Sequence, residues 1–426
     1  MNIRDHLDFR LIAVSSKSQY QTTRSKSNKR IYYSMSENNK KPLAVTFVAG
    51  AAVGAIAVAY LSRARKVDPA RKAEDHLLKI AEHSMTGGLI RVCDKLQLYE
   101  ALWQSGPSTA AELAQKMRCS ERWLTEILSQ ATAAGICVYF FGKFCLKPEY
   151  AHLLRDPKDS PRSIIGVFDM VACLLSRTDA TVESVKTGLG KTYDYGEDVT
   201  AAIDRKNTNW FHNKLEGDVL RQVKTTKMGE KTLVELLEEG IQVADVGCGY
   251  GASVLAMAKR FPQSQFCAFE ACKKSVKKLG ERVKEAKLSN VTVYDVATRS
   301  LADGPTQGGK FDFIYAHDVV HDMTKPKDFI RDAKHTLSDK GVFVIVDIKC
   351  CENLKQNIAQ TDAALHYGFS NFLCLASSAS EKNAAGLGTC GFPEGLAQSW
   401  TKNEGFESFE TIEIASLPMN SCFVVS

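Results

Sequence analysis

Residues 243–270 read VADVGCGYGASVLAMAKRFPQSQFCAFE, and this stretch decides the architecture. A short apolar run, Val243 to Val246, carries one acid, Asp245, and passes straight into Gly247-Cys248-Gly249-Tyr250-Gly251. Glycines so placed let the chain turn sharply and let backbone lie against a ligand where a Cβ would collide. The segment after them, Ser253 to Phe261, has helical spacing, so its first N–H groups point back at whatever the loop cradles. A second apolar run, Gln265 to Phe269, ends on Glu270, about 20 residues beyond the glycines, where a carboxylate can accept both hydroxyls of a ribose.

Working outward, the same alternation continues. Apolar runs at Val291 to Tyr294, Phe311 to Ala316 and Gly341 to Ile348 are separated by helical segments, and two more follow near Phe409 to Ile414 and Ser421 to Val425. Five strands separated by helices predict a parallel doubly wound α/β sheet, and the last pair predicts a C-terminal antiparallel hairpin, giving seven strands. The spacing G-x-G-x-G, unlike the dinucleotide-type G-x-G-x-x-G, favours S-adenosylmethionine as the ligand. The expected cofactor contacts are Asp245, Gly247, Gly249, Gly251 and Glu270. To these we add Asp295, closing the third strand, as acceptor from an adenine amino group, Val296 beside the ring, and His317 at the ligand edge of the fourth strand.

The rest of the 426 residues divides into distinct stretches. Residues 1–41 are polar and basic and predict a disordered tail. Residues 42–62, PLAVTFVAGAAVGAIAVAYLS, carry no charge, and about 21 residues of helix span roughly 30 Å, a bilayer's hydrocarbon thickness. Gly50 and Gly54 give a G-x-x-x-G spacing for helix approach. A membrane anchor is the expectation, in the endoplasmic reticulum or mitochondrion, with the catalytic part facing the cytosol; an organelle-targeting segment is the alternative. Residues 74–155 predict helices and a small winged-helix unit, with a T-x-x-E capping box at Thr109 and Glu112. A second helix runs from Ser120 to Ala134, with Trp123, Leu124, Ile127, Leu128 and Ala131 at helical spacing, and ICVYFFGKFCLK forms a hairpin around Gly142. Residues 156–230 form a helical connector, and 231–426 the α/β domain.

A net charge of +6 is thinly spread, and the second helix starts with Glu121, Arg122 and Glu126, so nucleic acid is not an expected partner. The thirteen cysteines form no C-x-x-C pair, which predicts neither a zinc site nor a disulfide framework. No metal is expected. A homodimer fits the architecture.

VADVGCGYG, Glu270 and FDFIYAHDVVHD (311–322) resemble class I S-adenosylmethionine-dependent methyltransferases. HYGFSNFLCLASS (366–378) followed by AAGLGT (384–389) resembles, more narrowly, a mostly uncharacterised group of these enzymes fronted by a winged-helix domain. The resemblance runs from about residue 75 to the C-terminus. It implies methyl transfer to a small-molecule or lipid-like acceptor, most readily at oxygen. A looser similarity to small-molecule O-methyltransferases implies that His321, of the pair His321-Asp322, is the general base on an acceptor hydroxyl. Two departures stand against that role: Met323 replaces the tryptophan of the plant-type enzymes, and no acid assignable from sequence orients His321. Two other classes remain as alternatives, a transcriptional regulator that senses the cofactor and a catalytically silent methyltransferase fold. The long segment 349–405 predicts a lid, with Tyr367, Phe369, Phe372 and Gly386 to Gly388 over the acceptor, or else extra core packing.

Overall fold

A computed structural model describes residues 68–155, 163–192, 197–224, 231–306 and 308–426. The expected tail and the apolar stretch 42–62 lie outside the described residues. Among the described residues no helix is long and apolar enough to cross a membrane. The chain divides into two compact units, Met1–Ile80 and Ala81–Ser426. Of the first, residues 68–80 are described, and from Pro69 they are helical.

The second unit begins with short helices around a small two-stranded sheet. Thr109 accepts the Glu112 N–H while Glu112 accepts the Thr109 N–H, so the expected capping box starts helix Ala110–Met117. Helix Glu121–Ala133 follows. Its buried side is Leu124, Ile127, Leu128 and Ala131, but Trp123, placed with them by spacing, is 72% exposed. Strands β1 (Cys137–Phe140) and β2 (Lys143–Leu146) pair antiparallel across Phe141-Gly142. Both turn residues have positive φ, as a two-residue hairpin turn matching strand twist requires.

The α/β part is built on a seven-stranded sheet. Its strands are β3 (Gln242–Val246), β4 (Gln265–Glu270), β5 (Val291–Asp295), β6 (Phe311–His317), β7 (Leu337–Ile348), β8 (Phe409–Ile412) and β9 (Asn420–Val425). Their order is β5-β4-β3-β6-β7-β9-β8, parallel from β5 to β7 and antiparallel at β7–β9 and β9–β8. The near-continuous apolar strands follow from burial on both faces: one face packs Val243, Phe266, Phe313 and Val344, the other Ala244, Phe269, Ile314 and Ile345. The chain moves outward from β3 to β4 and β5, then returns to lay β6 on β3's other flank. That reversal opens a crevice at the C-terminal ends of β3 and β6, the place where open α/β sheets bind ligands.

Of the segment 349–405, Glu381 lines that crevice, but the aromatic residues and the Gly386–Gly388 turn expected over the acceptor do not. Phe369 and Phe372 pack beside Met170, Leu174, Val199 and Ala202 of helices Ile165–Leu175 and Glu197–Asn213. Tyr367 lines a separate, shallower cavity. The packing alternative therefore describes these aromatic rings, and the surface they cover belongs to the connector.

Candidate functional site

A cavity of about 760 Å³ occupies the crevice, within the range of small-molecule sites. Its floor is the loop after β3. Gly247 has φ +69°, and a Cβ there would lie 2.3 Å from Val319 Cγ2, so glycine is required for the loop to pass the segment after β6. Gly249, at φ +57°, is different: a Cβ there would meet nothing within 4 Å. The backbone is held bare against open cavity, which is the cradle expected of a loop that a ligand covers.

Glu270, at the tip of β4, ties the loop down. Its Oε2 accepts the Gly249 N–H at 2.7 Å and its Oε1 the Cys272 N–H at 2.8 Å, while burial raises its proton affinity. The Ala271 N–H bonds the same carboxylate, and Glu270 lines the cavity. Asp245 lies deeper and accepts the Ser253 hydroxyl at 2.5 Å. Burial pushes its carboxyl up to about 7; the Ser253 bond opposes this and the nearby Glu270 charge adds to it. Val296, Leu301, Met323 and Phe329 give an apolar wall suited to a planar ring.

Of the sequence-predicted contacts, Asp245, Gly247, Gly249, Glu270, Val296 and His317 line the cavity. Gly251 starts helix Ala252–Arg260, with φ +82°, and supports the loop from behind. Asp295 is not on the cavity wall beside its neighbour Val296, and its Oδ1 accepts the Ala297 N–H at 2.9 Å, closing the turn after β5. His317 packs on Trp210 and Phe211, its Nδ1 2.7 Å from the Tyr315 hydroxyl, and burial lowers its proton affinity.

His321 departs most from expectation. It sits on the short 3₁₀ turn Val320–Asp322, is 2% exposed and is not on the cavity wall. Nδ1 is bonded to Asp347 Oδ1, and Nε2 faces Asp322 Oδ1 at 3.3 Å. Burial works against its charge, but these two carboxylates hold it well above the usual imidazole range. Of the pair His321-Asp322, Asp322 is the one that lines the cavity.

Sequence reasoning missed Asp347, which sits in β7 and supplies the acidic partner not assignable beforehand. An acid inside GVFVIVDI was the available signal. It also missed Thr200, Ile203 and Asn207 of helix Glu197–Asn213, which form a wall of the cavity together with Phe211. Contacts between segments this distant in sequence leave no local pattern.

Residues 237–407 match the family model described as a methyltransferase domain. The match begins just before β3 and ends just before β8. Over 153 residues the chain is 25% identical to (S)-coclaurine N-methyltransferase of Papaver somniferum, a match covering 35% of this chain and 41% of that enzyme. The chain spans less than half the length of the curated relatives it matches. Among solved structures, one from Nostoc punctiforme, provisionally assigned as an O-methyltransferase, aligns with TM-score 0.61 at 15% identity, covering 82% of this chain and 98% of that one. Human N-acetylserotonin methyltransferase, solved with S-adenosylmethionine, aligns with TM-score 0.56 at 13% identity, covering 85% and 98%. At these identities the likeness shows a shared α/β methyltransferase fold.

Proposed function

We propose that this protein transfers a methyl group from S-adenosylmethionine to a small-molecule or lipid-like acceptor, at oxygen. The observation that carries the reading is the pairing of bare Gly249 backbone with Glu270 at the sheet's switch point, inside a methyltransferase domain. Bound there, S-adenosylmethionine supplies an electrophilic methyl on a sulfonium. In this reading Glu270 holds the ribose hydroxyls, the wall at Val296 takes the adenine, and Asp245 contributes negative potential beneath the loop. Methyl transfer is an in-line displacement, so the chain's main task is to position the acceptor. Phe211, Asn207 and Thr200 line the same cavity and are placed to do so.

A nitrogen acceptor is the second reading, favoured by the named activity of the Papaver relative. We read the helix, helix and hairpin of residues 110–146 as a winged-helix unit serving packing rather than DNA: the second helix presents Glu121, Arg122 and Glu126 to solvent, two acids to one base.

Calorimetric titration with S-adenosylmethionine tests the cofactor, and cell extract supplied with isotopically labelled methyl donor tests the acceptor. Saturable binding that is lost in Glu270→Ala is expected, with a labelled product formed by the wild type only. Unchanged affinity in Glu270→Ala would sink the reading. Binding without any labelled product would leave the catalytically silent alternative in its place.

A further inference from the structure

Beside the cavity, one ligand atom from each of His321, Asp322 and Cys374 lies within 4.8 Å of the other two. These are three donor types, nitrogen, oxygen and sulfur, drawn from two segments about fifty residues apart. We propose that they form a binding site for a zinc-class divalent cation, with a fourth coordination position open toward the acceptor cavity.

The placement of Cys374 is the first reason. His321 between Asp347 and Asp322 is explained by an ion pair alone, but a thiol adds little to an ion pair, being a weak hydrogen-bond partner. Cys374 nevertheless arrives there at the end of a π-helical turn, Ser370–Cys374, and single π turns inserted in helices are frequent at functional sites. The turn is clamped by the GLGT segment, whose resemblance drew attention in the sequence but which the cofactor site does not use. Gly388 N–H donates to Ser378 Oγ and Thr389 N–H to Ser370 Oγ, both at 3.2 Å. The buried Thr389 hydroxyl stands beside the Cys374 thiol, within hydrogen-bonding reach of it.

The geometry is the second reason. The 3.3 Å between His321 Nε2 and Asp322 Oδ1 is an edge of a tetrahedron with metal bonds of about 2.0–2.1 Å. His321 already has the outer partner that metal-bound imidazoles keep, since Asp347 takes Nδ1 and leaves Nε2 for the cation. Mixed nitrogen, oxygen and sulfur donors suit zinc better than magnesium or calcium. Three protein ligands with an open fourth position are the pattern of a metal that meets substrate, and Asp322 lines the cavity. An oxygen, nitrogen or sulfur lone pair of the acceptor could occupy that position. The absence of C-x-x-C spacing hid the set, because no two ligands but His321 and Asp322 are near in sequence.

The test reads metal, not turnover, so it is independent of the methyl-transfer reading. Full-length protein stripped with chelator is titrated with Co²⁺ and followed by absorption, then with Zn²⁺ by calorimetry. Expected are one equivalent per chain and a thiolate-to-cobalt charge-transfer band. The band disappears in Cys374→Ser and persists in Cys390→Ser, and Asp347→Asn weakens affinity roughly 10–100-fold. No stoichiometric binding, or a band that survives Cys374→Ser, overturns the proposal. Should Cys374→Ser not fold, X-ray absorption on the zinc-loaded wild type decides: one sulfur at about 2.3 Å with lighter ligands at about 2.0 Å supports it, and any other sulfur count overturns it.

Discussion

Asp245 holds its carboxyl where burial favours the protonated form, and its ordinary value of 3.8 rises to about 7. A raised value in the folded state means stability that is complete below the unfolded pKa and lost as pH climbs through the folded one. From about pH 4 to pH 7 this single group therefore removes up to about 4 kcal/mol of folding stability. Urea unfolding at pH 5 and pH 7.5 should show Asp245→Asn gaining on the wild type at the higher pH; an equal gap at both values would mean that Asp245 stays ionised throughout. A sulfonium cation above the loop would favour the carboxylate, so S-adenosylmethionine should gain affinity over S-adenosylhomocysteine across the same window. Calorimetry with both ligands at two pH values reads that difference. The glycines separate in the same manner. Gly249→Ala adds a methyl into open space at a left-handed φ, costing about 1–2 kcal/mol of stability and, if a ligand lies there, much of the cofactor affinity. Gly247→Ala drives a methyl into Val319 and should unfold more readily, with thermal melts ranking the two variants.

At the scale of elements, the β1–β2 hairpin carries a visible compromise. Phe141 is fully exposed at φ +48° in the first turn position, where asparagine before glycine is the favoured pair. Phe141→Asn should stabilise the chain by about 0.5–1 kcal/mol, read as a higher melting temperature. The strands around the glycine loop were legible in sequence to within a few residues, because burial on both faces writes itself as continuous apolar runs closed by turns. Glu270 was legible for the same reason, since an acid at a strand tip breaks such a run. Asp347 sat in an equally plain run, but its partner lies on the neighbouring strand's far loop, and sequence carries no register between them. The π turn before Cys374 had no signal at all, since a one-residue helical insertion leaves apolar spacing nearly unchanged. Trp123 shows the reverse error: helical spacing placed it inside, and among the described residues nothing covers it on that side.

Across the whole of the second unit, the connector helix Glu197–Asn213 joins two kinds of contact. On one side Arg205 holds Asp94 through paired bonds at 2.7 and 2.8 Å and Asp169 at 2.8 Å, with Arg91 completing the cluster. On the other, Thr200, Ile203 and Asn207 form the cavity wall. Arg205→Ala leaves Asp94 buried without its guanidinium and should cost about 1–3 kcal/mol. Because the same helix meets both, cofactor binding should be felt beyond the glycine loop. At a hundredfold excess over Kd a ligand adds about 2.7 kcal/mol to the stability of the state that binds it. Hydrogen exchange with and without S-adenosylmethionine should show added protection in residues 247–260 and 197–213. Residues 110–146 contribute nothing to the cavity wall and should exchange as before. Protection confined to the loop would mean that the helix is a passive wall. Protection reaching the Phe141 hairpin would mean that the helical unit takes part in binding, and the acceptor would then have to be sought on that surface as well.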